Sequence, residues 1–426
     1  MSERRVIEVV ADWASLGGSS LMGRLTATPA RGKEVFAFEY DEAWLSSASR
    51  LALDPTLSLY RGPQYPAKQR ENFGLFLDSC PDRWGRVLMR RREAQLARVE
   101  ARAERRLLES DYLLGVHDGH RMGALRFRVG GRFLDDNDDL AAPPWTSLRE
   151  LEHASLELER AGVEDDPDYG RWLRMLIAPG GSLGGARPKA SVRDERGRLW
   201  IAKFPSRDDE HDVGAWERVV NELAERAGVV VPKAQSRRFG SGRHAGRGHH
   251  TFLTRRFDRT DQGERLHFAS AMTLLDRLDG QGAEEGVSYL ELAELLMRLG
   301  SRTRADLEQL WRRIVFFVCV SNTDDHLRNH GFMLEPTGWA LAPAYDMNPN
   351  AQGAGLRLNI SETDNAQDLE LALSVASVFR LSRARAGEIT AEVMEAVREW
   401  RAVASSHGLA RSAQDRMRRA FRVADR

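Results

Sequence analysis

The sequence has 426 residues, of which 42% are hydrophobic and 30% charged, and its 63 basic residues balance 63 acidic ones. This composition is typical of a globular protein with two or three packed units, and a net charge of zero gives no indication of a polyanionic partner. The longest apolar run, 314–320, is far shorter than the ~20 residues that cross a bilayer; since no apolar segment follows the charged N-terminus either, neither a membrane-spanning nor a secreted protein is expected.

The first third of the chain predicts short aromatic strands separated by polar turns. Residues 35–40 show the period-two alternation of a half-buried strand. Residues 88–108 predict a basic helix, in which interleaved glutamates favour an ion-paired surface over a nucleic-acid contact. The acidic, proline-marked stretch 136–144 predicts a linker.

The rest of the chain predicts a small α+β region followed by helices. The predicted elements are a helix at 147–162, a strand at 198–204, an amphipathic helix at 214–228 and strands at 229–232 and 251–257. Helices dominate after Leu266, apart from one hairpin within 330–346. This order is typical of a two-lobed nucleotide-binding enzyme with an added N-terminal module.

The segment 322–329, Asn-Thr-Asp-Asp-His-Leu-Arg-Asn, carries the first candidate catalytic residues. Phosphoryl transfer needs a carboxylate that accepts the proton of the attacking hydroxyl, and oxygen ligands that hold magnesium on the phosphates. Protein kinases place these groups as Asp-x4-Asn on one loop, which is the spacing of Asp324 and Asn329. Asp346, at the end of the predicted hairpin, is the expected second magnesium ligand. The alternative is an Asx-rich turn that caps a helix.

Cysteine and lysine are both rare in this sequence. Cys80 and Cys319 are the only cysteines, which favours a reducing cytoplasm over a disulfide framework. Lys203 is one of only five lysines and lies inside an apolar strand, where a kinase needs a lysine that holds the α- and β-phosphates. Glu222 on the following helix is a candidate partner for Lys203, and Glu217 is its competitor. The alternative is an edge-strand lysine that faces water.

A glycine-rich loop, Gly-Gly-Ser-Leu-Gly-Gly-Ala-Arg-Pro-Lys at 180–189, precedes that strand. Glycines allow backbone N–H groups to approach phosphate oxygens, and Lys189 adds a positive charge. The loop matches neither the Walker motif nor the Gly-x-Gly-x-x-Gly motif. Taken alone, it is more typical of a flexible surface turn.

Several short motifs occur in one order along nearly the whole chain. They are Asp-Ser-Cys-Pro-Asp-Arg-Trp-Gly (78–85), Met-Gly-Ala-Leu-Arg-Phe (122–127), Gly-Gly-Ala-Arg-Pro-Lys (184–189), Trp-Ile-Ala-Lys-Phe-Pro (200–205), Arg-Phe-Asp-Arg (256–259), Thr-Asp-Asp-His-Leu-Arg-Asn (323–329) and Leu-Ala-Pro-Ala-Tyr-Asp (341–346). Together the motifs resemble those of the HipA family, bacterial toxin kinases of type II toxin–antitoxin systems. The resemblance implies an α+β, two-lobed protein-kinase-like fold with an added strand-rich N-terminal subdomain (1–135), a kinase N-lobe (145–258) and a mainly helical C-terminal lobe (259–426).

The resemblance also implies roles for individual residues. Asp324 would be the catalytic base, Asn329 and Asp346 would hold magnesium, and Ser182 matches the family's autophosphorylated serine. The residues implied to bind ATP are Gly184, Gly185, Ala186, Arg187, Pro188 and Lys189 in the phosphate loop, Lys203, the hinge residues Arg255, Arg256 and Phe257, and His326, Leu327, Arg328, Asn329, Tyr345 and Asp346.

The function implied by the resemblance is that of an ATP- and magnesium-dependent serine/threonine protein kinase in the cytoplasm. Its substrate would be a protein, with a translation factor or an aminoacyl-tRNA synthetase as examples, and its partner a small helix-turn-helix antitoxin through which any contact with DNA is indirect. Two alternatives stay open. One is a catalytically silent kinase-like scaffold that binds an antitoxin or DNA, and the other is a metal-dependent hydrolase that uses His326 and His330, spaced i, i+4.

Overall fold

The structure is a computed structural model that describes residues 4–47, 50–133, 142–180, 185, 187–239 and 248–425. The strands are β1 (Arg5–Ala11), β2 (Ser20–Ala30), β3 (Lys33–Tyr40), β4 (Leu125–Val129), β5 (Arg132–Phe133), β6 (Lys189–Arg193), β7 (Leu199–Lys203), β8 (Ala234–Arg237), β9 (Thr251–Arg255), β10 (Phe268–Ser270), β11 (Gly331–Glu335) and β12 (Gly338–Leu341). The helices are α1 (Glu42–Ser46), α2 (Gly74–Leu77), α3 (Arg83–Val99), α4 (Glu109–Leu114), α5 (Leu148–Leu158), α6 (Tyr169–Gly180), α7 (Val213–Arg226), α8 (Ala271–Leu274), α9 (Tyr289–Leu299), α10 (Thr303–Val320), α11 (Leu369–Ser374), α12 (Arg383–Arg398), α13 (Trp400–Ser406) and α14 (Arg411–Met417).

The chain divides into two compact units. The described residues of the first unit fall within 1–208, 239–248 and 258–269, and those of the second within 209–238, 249–257 and 270–426. The predicted kinase N-lobe, 145–258, is therefore shared between the two units. The physical reason is that β6 packs on α5 and α6 in the first unit, whereas α7 packs on α12 and α13 in the second.

The first unit is built on an antiparallel sheet with the strand order β3-β2-β1-β4-β5. The sequence predicts the alternation of β3, and the structure confirms it: Phe36, Phe38 and Tyr40 are buried while Val35 and Glu39 are exposed. Short helix α2 covers the buried face, where the Phe76 ring lies 5.3 Å from Phe38 and 6.0 Å from Phe127. These aromatic contacts form a core that depends on residues from three separate stretches of sequence.

The second unit is built around helix α10. The apolar run 314–320 forms its C-terminal half and is buried throughout, so the run is the centre of a helical core. Among the described residues, no helix has both the length and the apolar character needed to cross a membrane. Helix α7 packs on the same core, because Trp216 lies 6.0 Å from Phe421, which is itself stacked on Trp400 at 4.4 Å.

The predicted helix 214–228, the strand 198–204 and the hairpin within 330–346 are confirmed as α7, β7 and the β11–β12 pair. The strand predicted at 229–232 is wrong, since β8 begins only at Ala234. Pro232 has no N–H to donate to a strand ladder. The N–H of Val229 instead bonds to the Ala224 carbonyl at the C-terminus of α7, and that of Val230 bonds to the Gln309 side chain of α10.

The N-terminus of α7 is fixed by a single carboxylate. Asp212 accepts hydrogen bonds from the Ala215 N–H at 3.1 Å, from the His250 N–H at 2.9 Å and from His250 Nδ1 at 2.6 Å. A Cβ atom at Gly214 would lie 2.0 Å from the His250 carbonyl oxygen, so only glycine permits this approach. Burial alone would raise the pKa of Asp212, but the hydrogen bonds from His250 and Ala215 lower it overall.

We expect Asp212→Ala to destabilise the second unit by about 1–3 kcal/mol at pH 7, because the helix loses its N-cap and a buried charged acceptor. A carboxyl whose pKa is lower in the folded protein stabilises the fold above its unfolded pKa of about 3.9. That contribution disappears as the pH falls through the folded value. Calorimetry should therefore show a difference in the free energy of unfolding between wild type and variant at pH 7, and this difference should become smaller below about pH 4.

Asp208→Ala is the matched control, since it removes an exposed carboxylate four residues earlier. A gap for Asp212→Ala that stays constant from pH 7 to pH 3 would show that the carboxylate is not the source of the stability.

Candidate active site

The candidate catalytic residues lie in a loop of the second unit that follows α10. Helix α10 ends at Ser321 in a left-handed conformation, with φ of 51°, and a single 3-10 turn covers Leu327–Asn329. Two adjacent aspartates occupy the loop, and their environments differ. Asp324 is exposed, whereas Asp325 is 2% exposed and accepts hydrogen bonds from Tyr289 Oη and His330 Nε2, each at 2.7 Å. Of the two, only Asp324 exposes its carboxylate to solvent.

Asn329 and Asp346 supply the oxygen atoms that a magnesium ion requires. The Asn329 side chain is nearly buried, and its Nδ2 donates to the Asp324 carbonyl at 3.0 Å, an orientation that leaves Oδ1 as an acceptor for a cation. Asp346 follows β12 in a left-handed conformation, with φ of 57°. Amide and carboxylate oxygens are the ligands that magnesium prefers, so these two residues fit the ion.

Hydrogen bonds tie the catalytic segment, residues 321–330, to the Asp346 segment, residues 342–350. Tyr345 Oη donates to the Arg328 carbonyl at 2.7 Å. The N–H of Asn348 donates to Asn322 Oδ1 at 3.0 Å, and the N–H of Asn350 donates to the Ser321 carbonyl at 3.0 Å. The structure therefore brings Asp324, Asn329 and Asp346 into one connected framework within the second unit.

Two charged side chains of α10 form hydrogen bonds with the backbone of residues 341 and 342, where the Asp346 segment begins. The Asp306 carboxylate accepts the N–H of Leu341 at 2.9 Å, and the buried guanidinium of Arg313 donates to the Ala342 carbonyl. Burial lowers the pKa of Arg313 to about 10, against the opposing effect of the nearby Asp325 and Asp306 charges, so Arg313 is cationic at neutral pH.

Asn322 and Arg313 are site residues that the sequence analysis missed. The available signal for Arg313 is its position at the start of the apolar run of α10, where a charged residue needs a buried partner.

The predicted hinge residues lie at and after the end of β9. The Arg255 N–H donates to the Lys233 carbonyl at 2.8 Å, and Arg256 is buried. The Phe257 ring lies 5.4 Å from the Tyr345 ring at an interplanar angle of 34°. The hinge and the Asp346 segment thus share an aromatic contact.

The remaining residues of the catalytic segment differ in exposure. His326 is half-buried, Leu327 is buried, and Arg328 pairs with Asp279 at 3.2 Å.

The zinc hypothesis for His326 and His330 assumed that the two residues lie on one helix, but residues 324–330 form a loop. The Nε2 atom of His330 is also hydrogen-bonded to Asp325. In the described part of the chain, no three His, Cys, Asp or Glu side chains converge to hold a metal.

The predicted phosphate loop belongs to the first unit and is only partly described. Ser182, Gly184 and Ala186 lie outside the described residues, while Gly185 has a φ of 101°. The end of the loop is tied to the end of β7, because the Phe204 N–H donates to the Pro188 carbonyl at 2.9 Å and Arg187 donates to the Phe204 carbonyl at 3.3 Å.

Lys189 has a partner that the sequence did not predict. Its ammonium is 2% exposed and donates to the Asp82 carboxylate at 2.9 Å, and Asp82 in turn caps α3 through the Gly85 N–H at 2.7 Å. Asp82 belongs to the motif Asp-Ser-Cys-Pro-Asp-Arg-Trp-Gly of the N-terminal module. A buried ion pair of this kind holds the two parts of the first unit together, and the ammonium faces Asp82 rather than solvent.

Lys203 lies opposite Lys189 on β7, as its cross-strand partner, and is half-buried. Glu222, the first candidate for its ion pair, is engaged by other groups: Arg226 at 2.7 Å, Arg218 at 3.2 Å and His407 Nε2 at 2.7 Å. The competitor Glu217 is buried on the same helix. The Glu222 carboxylate therefore has three partners within the second unit.

Comparison with known proteins identifies relatives of both halves of the chain. The family model of the HipA N-terminal domain matches residues 16–128, and that of the HipA-like C-terminal domain matches residues 181–401. The solved structure of HipA from Shewanella oneidensis, in complex with HipB and its operator DNA, superposes with a TM-score of 0.65 at 16% identity, covering 98% of this chain and 96% of that one. A Haemophilus influenzae protein described as a candidate kinase is 33% identical over 101 residues, which span 22% of this chain and 29% of that protein.

We expect Lys189→Ala to lower the free energy of unfolding by about 3–5 kcal/mol, because it leaves the Asp82 charge buried without its cation. Lys203→Ala is the matched control: it removes the lysine directly across the hairpin at a half-buried position, and a smaller change than for Lys189→Ala is expected. Thermal unfolding of the two variants measures the difference.

Replacing both partners, as Lys189→Met with Asp82→Asn, should recover most of the lost stability, since the asparagine can still cap α3. A Lys189→Ala variant as stable as Lys203→Ala would contradict a structural role for the pair.

Proposed function

Since the chain belongs to the HipA family, we propose that it is an ATP- and magnesium-dependent serine/threonine protein kinase acting as the toxin of a type II toxin–antitoxin system. The observation that carries the proposal is the contrast between two adjacent carboxylates. Asp324 is exposed in the loop after α10, while Asp325 is buried and already accepts two hydrogen bonds. A general base must reach the proton that it removes, and only Asp324 meets that condition.

In this proposal Asp324 accepts the proton of the attacking serine or threonine hydroxyl. Asn329 and Asp346 would hold magnesium, which supplies charge neutralisation on the phosphates when bound. The framework between the catalytic segment and the Asp346 segment keeps these oxygen atoms in a fixed arrangement. Fixed charges of this kind contribute most of the catalysis in phosphoryl transfer, because the reaction depends on positioning and electrostatics.

ATP recognition in this proposal uses residues of several elements. The backbone of Arg255, Arg256 and Phe257 would meet adenine, with Tyr345 beside it. Residues 326–329 would line the nucleotide, and Lys203 would contact the phosphates. In the phosphate loop, Gly184, Gly185, Ala186, Arg187 and Pro188 would approach through their backbone groups. Lys189 would support the loop through its pair with Asp82.

The biological role in this proposal is the inhibition of growth by phosphorylation of a cytoplasmic protein, such as a translation factor or an aminoacyl-tRNA synthetase. A small helix-turn-helix antitoxin would restrain the kinase, and DNA would be reached only through that antitoxin. The related HipA from Shewanella oneidensis, which was solved with HipB and operator DNA, supports the choice of partner.

We expect Asp324→Asn to lower phosphoryl transfer by about 10²–10⁴-fold, the usual contribution of a positioned general base, while its thermal unfolding matches wild type because the side chain is exposed. Asp346→Asn should raise the magnesium concentration that gives half-maximal activity. Transfer of radiolabelled phosphate from ATP to the full-length protein measures both effects.

Asp279→Asn is the control for Asp324→Asn, since it removes an exposed carboxylate that pairs with the same loop through Arg328. Full activity in Asp324→Asn would exclude its role as the base. Wild-type protein that binds ATP with magnesium but transfers no phosphate would instead be the silent scaffold.

Autophosphorylation at Ser182 is the regulatory part of this proposal. A phosphate adds about −1.5 to −2 charges to a glycine-rich loop, and repulsion from ATP phosphates should then disfavour nucleotide binding. Phosphopeptide mapping after incubation with ATP and magnesium should find the modification within residues 180–191, accompanied by loss of activity. Full activity in protein that is stoichiometrically phosphorylated at Ser182 would rule out this form of regulation.

A further inference from the structure

A buried carboxylate, that of Asp325, directly follows the proposed catalytic base in the sequence. Asp325 lies next to Asp324 in sequence, yet its carboxylate faces the interior and receives the hydroxyl of Tyr289 from α9 and Nε2 of His330, both at 2.7 Å on the same oxygen. All three side chains are at most 2% exposed. A buried carboxylate with two donors is a strong, geometrically defined interaction.

The negative charge of Asp325 interacts with a buried positive charge on helix α10. Arg313 of α10 is fully buried, and its pKa reflects burial first and then the opposing attraction of Asp325. The same guanidinium donates to the Ala342 carbonyl, at the start of the Asp346 segment. Asp325, Tyr289 and His330 are here named the Asp325 cluster; two of its members belong to the catalytic segment, and Arg313, which its charge affects, is bonded to the start of the Asp346 segment.

The two ends of the proposed catalytic loop are joined through this cluster. Asp325 follows the base, and His330 follows the magnesium ligand Asn329, so the bond between them closes a short loop. Within it, Asn329 Nδ2 donates to the Asp324 carbonyl at 3.0 Å. The backbone of His330 is itself held, because its carbonyl accepts the Ala271 N–H at 2.8 Å. Movement of Asp325 is thus transmitted to both functional side chains.

We propose that the Asp325 cluster is a positioning device that fixes the separation and orientation of Asp324 and Asn329, and that Tyr289 and His330 are positioning residues for phosphoryl transfer. The inference rests on the proposed kinase function. Small displacements of reacting groups have large effects on rate, and about 1 Å can change it by ~100-fold. Loss of one of the two hydrogen-bond donors to Asp325 should displace the loop by less than about 1 Å.

The first test compares two tyrosine variants. Tyr289→Phe removes one donor to Asp325, and Tyr40→Phe is the matched control, because Tyr40 is also a buried ring whose hydroxyl has no hydrogen-bond partner among the described residues. Single-turnover phosphate transfer from ATP within the full-length chain should give a rate constant at saturating ATP, here called kcat, that is about 5- to 20-fold lower for Tyr289→Phe. The half-saturating ATP concentration, here called KM, should change by less than about twofold. Tyr40→Phe should match wild type in both.

A second comparison separates hydrogen bonding from packing at His330. In His330→Gln the amide Nε2 takes the place of the ring Nε2 as donor, whereas His330→Leu keeps the volume and loses the donor. The glutamine variant should keep kcat within about threefold of wild type, while the leucine variant loses about 10-fold. A leucine variant as active as the glutamine variant would mean that His330 acts through packing alone, and the inference would be wrong.

Amide hydrogen exchange of residues 322–331 tests the inference without catalysis. Exchange there should be about 10-fold faster in Tyr289→Phe than in wild type or Tyr40→Phe, since the cluster holds the loop closed. Wild-type protein that transfers no phosphate would overturn the proposed function, and the exchange result would still decide on the cluster. Unchanged exchange together with unchanged kcat in Tyr289→Phe would overturn the inference.

Discussion

The candidate site depends on hydrogen bonds that join the catalytic segment to the Asp346 segment. Three of these bonds use at least one backbone group, so they hold the two segments at a fixed register. The left-handed conformations of Ser321 and Asp346 lie within these same two segments. Such conformations are energetically unfavourable for residues other than glycine and persist where surrounding contacts determine them. One such conformation occurs at Asp346, a proposed magnesium ligand, and the other at Ser321, where the catalytic segment begins.

Burial divides the acidic residues of the second unit into two groups with different roles. Asp212, Asp306 and Asp325 are buried and accept hydrogen bonds from the protein itself, and they define a helix start, a strand end and a loop. Asp324 is exposed and Asp346 is half-buried. The buried carboxylates thus act as internal acceptors, whereas the two more exposed ones are those proposed to act on substrate and magnesium.

Lys189 and Asp82 show the same principle in the first unit. Both belong to motifs on which the family resemblance depends, one in the glycine-rich loop and the other in the N-terminal module. In the structure they form one buried ion pair that also caps α3. Removing one partner of a buried ion pair is costly, because the remaining charge is buried where water cannot solvate it. The N-terminal module and the β6–β7 hairpin consequently form parts of one compact unit.

The amino-acid sequence by itself determined the family, the α+β class, helix α7, strand β7, the β11–β12 hairpin and the positions of Asp324, Asn329 and Asp346. These features follow from local periodicity and from short motifs with fixed spacing. Tertiary structure alone decided which of two adjacent aspartates is exposed, that Lys189 pairs with Asp82, which partners Glu222 has, and that 229–232 forms no strand. Most of these depend on groups distant in sequence, up to 185 residues apart for Glu222 and His407. Spacing within a motif gives no information about such partners, because burial and pairing are properties of the folded chain.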